Sequence, residues 1–302
     1  MSTRLSGVIP PMLTPLDDNE LLDRPAVRRL VEHILAGGAN GLFLLGSTGE
    51  GPNLQLSVRQ ALVEATVEAA AGRVPVIAGV LRPSTAEVID EIRAFSGRGL
   101  DGYVATTPYY YSEFNDDRLY DHFQRVVEAS DLPVLLYSIP QATKVALSAE
   151  LVLRLGELPR VAGMKDSSGN WDTVRTVLQN RPSPEFTLLQ GWTPTAVGSL
   201  LAGADGLVPG EANIFPQLLS DLVAAVKRGD LSTAFDCEAR VGRYMPVRGW
   251  RSIHALKVLG KAMGLMDDHV TSPLPLITPE ELRAVLAAGK AAGLPIQYER
   301  VG

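Results

Sequence analysis

Lys165 closes the short apolar run Val161-Ala162-Gly163-Met164 and is followed at once by Asp166-Ser167-Ser168-Gly169. A lysine that leaves a buried strand for a Gly/Ser-rich turn is expected to be partly desolvated, which favours a nucleophilic amine. The plainer alternative is a strand-end lysine whose head simply reaches water. Tyr137, in Tyr137-Ser138-Ile139-Pro140, brings a phenol that both donates and accepts protons, useful only if it faces the same mouth as Lys165. A buried tyrosine bonded to the backbone is its bland counterpart. The turn Gly46-Ser47-Thr48-Gly49-Glu50-Gly51 offers backbone N–H groups and two hydroxyls without a positive charge. That suits a small carboxylate, although Gly/Ser/Thr clusters also just make turns. Glu50 has no acid/base partner in sequence and is expected to cap or brace the helix that follows. Tyr109-Tyr110-Tyr111 is denser in aromatics than a core loop needs and equally suits an interface.

These groups act together only if a scaffold gathers strand ends. Along the chain the hydrophobic period switches repeatedly between short apolar runs and amphipathic helical stretches. Strands are expected at 7–14, 41–46, 74–80, 102–108, 134–140, 161–167, 186–192 and 206–210, with helical patterns such as 24–36, 57–71, 85–95, 118–129 and 213–227 between them. Alternating β and α units force parallel strands with right-handed crossovers, and eight units favour closure into a (β/α)8 TIM barrel. Three strands share an introduction, Gly37-Gly38-Ala39-Asn40-Gly41, Gly97-Arg98-Gly99-Leu100-Asp101-Gly102 and Gly203-Ala204-Asp205-Gly206. In each, glycine ends a helix and a tight turn delivers the next strand. After about position 230 helices take over, at 231–244, 252–263 and 279–292. The expected organisation is a barrel over 1–230 that carries the site and a C-terminal helical segment over 231–302 packed on it. Barrels place chemistry at the C-terminal ends of their strands. Besides the groups above, those ends supply Gly191-Trp192 and Val208-Pro209-Gly210.

A length of 302 residues fits two average domains or one large barrel, and a hydrophobic fraction of 46% allows a sizeable core. Net charge is −6 with acids and bases interspersed, which argues against a nucleic-acid or anionic-membrane surface and for a small-molecule partner. A single cysteine excludes an internal disulfide, and the four histidines lack metal-ligand spacing, so no metal is expected. Residues 1–6 show no apolar leader pattern and no segment gives about 18 uninterrupted apolar residues, so a soluble, cytoplasmic protein is expected.

Four motifs, Gly46-Ser47-Thr48-Gly49-Glu50, Thr107-Pro108-Tyr109-Tyr110, Tyr137-Ser138-Ile139-Pro140 and Gly163-Met164-Lys165-Asp166, jointly resemble the dihydrodipicolinate synthase and N-acetylneuraminate lyase superfamily of pyruvate-dependent class I aldolases. The likeness runs over essentially the whole chain. It implies that Lys165 forms a Schiff base with the 2-oxo acid and that no cofactor is used. Tyr137 would relay protons, and Ser47 and Thr48 would bind the pyruvate carboxylate and supply a hydroxyl to the relay. Tyr110 matches the tyrosine that enters the neighbouring subunit's site in a homo-oligomer, a dimer of dimers, with the register among Tyr109, Tyr110 and Tyr111 left open. Val208 would place its carbonyl near the lysine, and Gly191 would line the substrate.

Departures narrow the substrate. Ala142 stands where synthases of this family carry an arginine for the semialdehyde carboxylate, and Thr193-Pro194 where sialic acid lyases carry an Asp-Glu pair. Tyr-Ser-x-Pro with Lys-Asp-Ser is more similar to the 4-hydroxy-2-oxoglutarate and 2-keto-3-deoxy sugar-acid aldolase branches. The expected activity is reversible cleavage of such an acid to pyruvate and an aldehyde, with dihydrodipicolinate synthesis or a sugar-acid dehydratase as alternatives. A pyridoxal-phosphate enzyme built on Lys165 is disfavoured, because no glycine loop with a nearby cation ends strands seven and eight. A 2-oxo-acid-sensing regulatory barrel would keep the pocket without turnover.

Overall fold

A computed structural model describes residues 4–298, so residues 1–3 and 299–302, the outer ends of the two expected segments, lie outside the described residues. Eight strands alternate with helices: β1 (Gly7–Val8), β2 (Leu42–Leu44), β3 (Val76–Gly79), β4 (Gly102–Thr106), β5 (Val134–Ser138), β6 (Val161–Asp166), β7 (Thr187–Gln190) and β8 (Gly206–Leu207). The helices are α1 (Arg24–Ala36), α2 (Leu56–Ala70), α3 (Thr85–Phe95), α4 (Asp116–Glu128), α5 (Pro140–Thr143), α6 (Ala149–Leu155), α7 (Trp171–Gln179), α8 (Ala196–Leu201) and α9 (Pro216–Arg228). Then come α10 (Leu231–Tyr244), α11 (Arg251–Ala262) and α12 (Pro279–Ala291). All strands are parallel, in the order β1-β8-β7-β6-β5-β4-β3-β2. A parallel bridge between Pro11 and Phe43 brings β1 to β2 and closes the ring, with Met12 N–H donating to Phe43 O at 2.8 Å. This is the expected TIM barrel. Asn213 adds a clasp at the seam, accepting from Leu13 N–H at 2.8 Å and donating to Pro11 O at 2.9 Å.

Several elements are shorter than their apolar runs suggest, because proline removes ladder donors. The first strand stops before Pro10-Pro11, and the last before Pro209, where a 3-10 turn (Gly210–Asn213) delays α9 to Pro216. α4 begins two residues before its expected start, since Asn115 accepts from Arg118 N–H at 2.9 Å and caps it there. The three look-alike turns have a shared physical purpose. Each sets an Asn or Asp just before the strand glycine, and its side chain accepts the N–H of a neighbouring strand: Asn40 from Val8 at 2.9 Å, Asp101 from Val76 at 2.8 Å, Asp205 from Leu188 at 2.8 Å.

Strand alternation sorts the core into two layers. Val134 and Leu136 of β5 face the helices, while Leu135 and Tyr137 point into the barrel with Ile9, Phe43, Ile77, Val104, Leu189 and Val208. Apolar strands buried on both faces are the rule in parallel sheets. No helix among the described residues is long and apolar enough to cross a membrane.

Candidate active site

Register aligns Tyr137 with Lys165 and Lys165 with Leu189, so the lysine belongs to the inner layer at the C-terminal end of β6. It is 4% exposed. Its Nζ lies 4.0 Å from the centroid of the Tyr137 ring and 4.8 Å from that of Phe43, whose rings meet edge to face at 6.3 Å. Among the described residues Lys165 forms no ion pair and no hydrogen bond. Aromatic faces attract a cation weakly and exclude water, so the amine is held in place without a carboxylate to tie it down. Phe43 reaches the lysine from β2, across the inner layer. Gly46 makes room for it, since a Cβ there would sit 2.9 Å from the ring.

Gly191 stands against the lysine itself. A Cβ at this position would meet Lys165 Cε at 2.9 Å and Ser167 Oγ at 2.2 Å, and its N–H is fixed by Asp166 O at 2.6 Å. Asp166 faces the other way, toward the helix layer, where its carboxylate accepts from Ser168 Oγ–H at 2.7 Å and Ser168 N–H at 3.2 Å. Burial pushes its carboxyl up to about 6 against the pull of those bonds. Val208 is buried in the inner layer, its N–H on Gln190 O at 2.8 Å. Ser138 turns outward and accepts from Leu147 N–H at 3.4 Å, a loop-fixing contact.

The turn carrying Ser47 and Thr48 is half-buried and held from several sides. Leu45 and Glu50 flank it with φ of 58° and 59°, left-handed conformations that persist only under external constraint. Thr14 Oγ1–H donates to Gly49 O at 2.6 Å, and Arg82, paired with the buried Glu91, donates to Gly51 O at 2.6 Å. Glu50 does brace, but not the helix after it: its fully buried carboxylate pairs at 2.5 Å with Lys257 of α11 and accepts Thr271 N–H at 2.6 Å. Thr48 Oγ1 is 3.4 Å from the place of a Cβ on Gly210, putting it beside the end of β8.

The structure thus brings Lys165, Tyr137 and Gly191 together, with Val208 on the inner wall and the Ser47-Thr48 turn at the rim. Tyr110 does not join them within one chain. It is 88% exposed, with φ 82°, and its ring packs on Tyr111 at 5.2 Å, whereas Tyr109 is half-buried and donates its hydroxyl to Leu81 O at 3.1 Å. No hydrogen bond links Tyr137, Ser47, Thr48 and Tyr110 among the described residues, so the expected relay is not formed inside a single chain. Sequence reasoning missed Phe43 and Lys257. Phe43 is hidden in the uniformly apolar Leu42-Phe43-Leu44, but Lys257 left a signal as a lone cation within Ala255-Leu256-Lys257-Val258-Leu259.

A model of the dihydrodipicolinate synthetase family matches residues 4–292. The chain belongs to this family. Relatives include the 4-hydroxy-tetrahydrodipicolinate synthase of Ralstonia nicotianae, 35% identical over 97% of this chain and 99% of that protein, and that of Roseobacter denitrificans, 36% identical over 95% and 98%. Among solved structures, YagE, a prophage protein of the dihydrodipicolinic acid synthase family from E. coli K12 in complex with pyruvate, superposes with a TM-score of 0.90 at 26% identity, over 97% of this chain and 100% of that one. As a member of the dihydrodipicolinate synthetase family the protein is a lyase of the pyruvate-dependent aldolase class.

Proposed function

We propose that the protein is a Schiff-base lyase that reversibly cleaves a 4-hydroxy-2-oxo or 2-keto-3-deoxy acid to pyruvate and an aldehyde, in the cytoplasm and as a homotetramer. The observation that carries this reading is Lys165: a buried amine without a carboxylate, walled by Tyr137 and Phe43 and kept clear by Gly191. The neutral amine adds to C2 of the 2-oxo acid, and water leaves to give an iminium that acts as the electron sink, so no separate cofactor is required. Tyr137, whose ring lies under Nζ and which gives its own proton to the departing water, then takes the proton of the C4 hydroxyl as the C3–C4 bond breaks. The electron pair of that bond enters the iminium as an enamine, C3 is then protonated, and hydrolysis returns pyruvate and the free lysine. Ser47, Thr48 and the N–H groups of their turn hold the carboxylate. The exposed Tyr110–Tyr111 pair supports a subunit interface at which Tyr110 completes a neighbour's relay.

Synthase activity, in which the enamine attacks aspartate semialdehyde, is the second reading, favoured by the names of the relatives above. Ala142 speaks against it. The residue lies on α5 at the site mouth, and the only cation of residues 139–145 is the exposed Lys144, its ammonium on Gln141 O at 3.2 Å. Borohydride reduction with pyruvate is expected to fix an adduct on the peptide containing Lys165 and to fail in Lys165→Ala. A panel of 2-oxo acids, assayed for released pyruvate, separates lyase from synthase. A kcat/KM for semialdehyde condensation above that for every hydroxy-oxo acid would reverse the order of the readings, and no turnover with any would leave the sensor.

A further inference from the structure

Thr106 ends β4. Alternation places it on the inner wall with Val104, while Tyr103 and Ala105 face the helices. Register sets it beside Tyr137, whose other neighbour is Lys165, so the three residues occupy successive strands of one inner layer. Thr106 is 2% exposed, and its hydroxyl has no hydrogen-bond partner among the described residues. Four other buried polar atoms share that condition, but three of them, on Glu50, Arg59 and Glu91, sit in ion pairs and the fourth, on Thr66, belongs to α2 in the helix layer. Among the described residues the orphan inside the barrel is therefore Thr106 alone. Leaving a buried hydroxyl unbonded costs stability that valine, of nearly the same shape, would not lose.

The backbone of Thr106 is anchored from outside. His122 of α4 is buried, and burial pushes its ring down to about 4, so it is neutral at working pH. A carbonyl only accepts, so Nε2–H donates to Thr106 O at 3.3 Å and Nδ1 accepts the hydroxyl of Thr85 at 2.9 Å. Opposite strands of the closed ring, β2 and β6, carry the carboxylate-holding turn and Lys165, and β4 stands midway between them. A 2-oxo acid held at the β2 turn and bonded through C2 to Lys165 passes β4 at its middle.

We propose that Thr106 is a substrate-contacting residue whose hydroxyl hydrogen-bonds the oxygen on C2 of the 2-oxo acid while Lys165 adds to it. The inference rests on the Schiff-base reading of Lys165. In the addition the amine pair forms the N–C2 bond and the carbonyl π pair moves onto oxygen, which takes up two protons, one from the amine nitrogen and one from Tyr137, and departs as water while the nitrogen pair forms the C=N bond. Thr106 donates to that oxygen while its charge builds and undergoes no net proton exchange.

The test compares Thr106→Val and Thr106→Ser with wild type by single-turnover borohydride trapping of pyruvate and by thermal unfolding of the free protein. Expected is trapping slowed about ten- to a hundredfold in Thr106→Val, a charge-assisted hydrogen bond's worth. The melting temperature of that variant should be unchanged or raised, and serine should restore the rate to within about threefold. A valine variant that traps at the wild-type rate, one that loses stability because the hydroxyl had a protein partner, or a serine variant as slow as valine each overturns the contact. Wild type that traps no pyruvate would instead sink the Schiff-base reading and the contact with it.

Discussion

A methyl group at position 191 would lie within 2.9 Å of Lys165 Cε and 2.2 Å of Ser167 Oγ, so the lysine keeps its place because this glycine has no side chain. Gly191 is not in the left-handed region, which frees the test from backbone strain. Gly191→Ala is expected to lower kcat/KM for pyruvate release by at least about tenfold, since a displacement near 1 Å at a reacting group costs up to about a hundredfold. Thermal unfolding should shift little, and unchanged kinetics would mean that Lys165 tolerates a neighbour there. How far such residues were legible depends on what breaks a pattern. Lys165 and Tyr137 stand out because a charge and a phenol interrupt apolar strands at their ends. Phe43 and Thr106 do not, because strands buried on both faces carry no polar alternation to say which residues point inward. Gly191 looked like an ordinary strand-end glycine, and only the packing of its neighbours gives it a reason.

Between α11 and the Ser47-Thr48 turn runs one buried ion pair, Lys257 with Glu50, reinforced by Thr271 N–H. Removing one partner of such a pair strands a buried charge and costs about 3–5 kcal/mol, whereas removing both is tolerated far better. Lys257→Met should therefore destabilise the protein by about that amount, and adding Glu50→Gln should recover most of it, as read from urea unfolding. If the turn holds the carboxylate, KM for the 2-oxo acid should rise more than kcat falls in whichever variant stays folded. Equal losses in both would make the pair a general staple. The reading of Glu50 as a brace for the next helix was local by construction, since sequence spacing shows partners three or four residues away and not two hundred. The boundaries of α4 and α9 slipped for a related reason: Asn115 caps one, and a 3-10 turn after Pro209 delays the other.

Whether one chain is a complete enzyme turns on Tyr110, whose ring is 88% exposed and makes no hydrogen bond to the site of its own chain. Closed two-fold symmetry would make the exchange reciprocal, each subunit giving and receiving one tyrosine. Mixing impaired Tyr110→Phe with inactive Lys165→Ala subunits should then restore part of the turnover, because a mixed pair holds one site with both groups. No recovery despite proven subunit exchange, or a fully active monomer on sizing, would return the tyrosines to ordinary surface packing. The barrel itself was legible at this scale because eight alternating units leave few other closures. Asn213 and the Pro11–Phe43 bridge, which seal the ring, join segments too far apart for any local pattern to announce.

Glu50 and Thr271 are separated by 221 positions, a distance that is also an interval of time. A ribosome adding about 5–20 residues per second needs roughly 10–45 s to travel from one to the other. During that interval the Ser47-Thr48 turn exists without the Thr271 N–H that locks it, and for most of it without the Lys257 ammonium. A chain released early would carry Lys165 and Tyr137 yet hold the Ser47-Thr48 turn loosely, so synthesis runs almost to its end before the strand-end groups share one fixed frame.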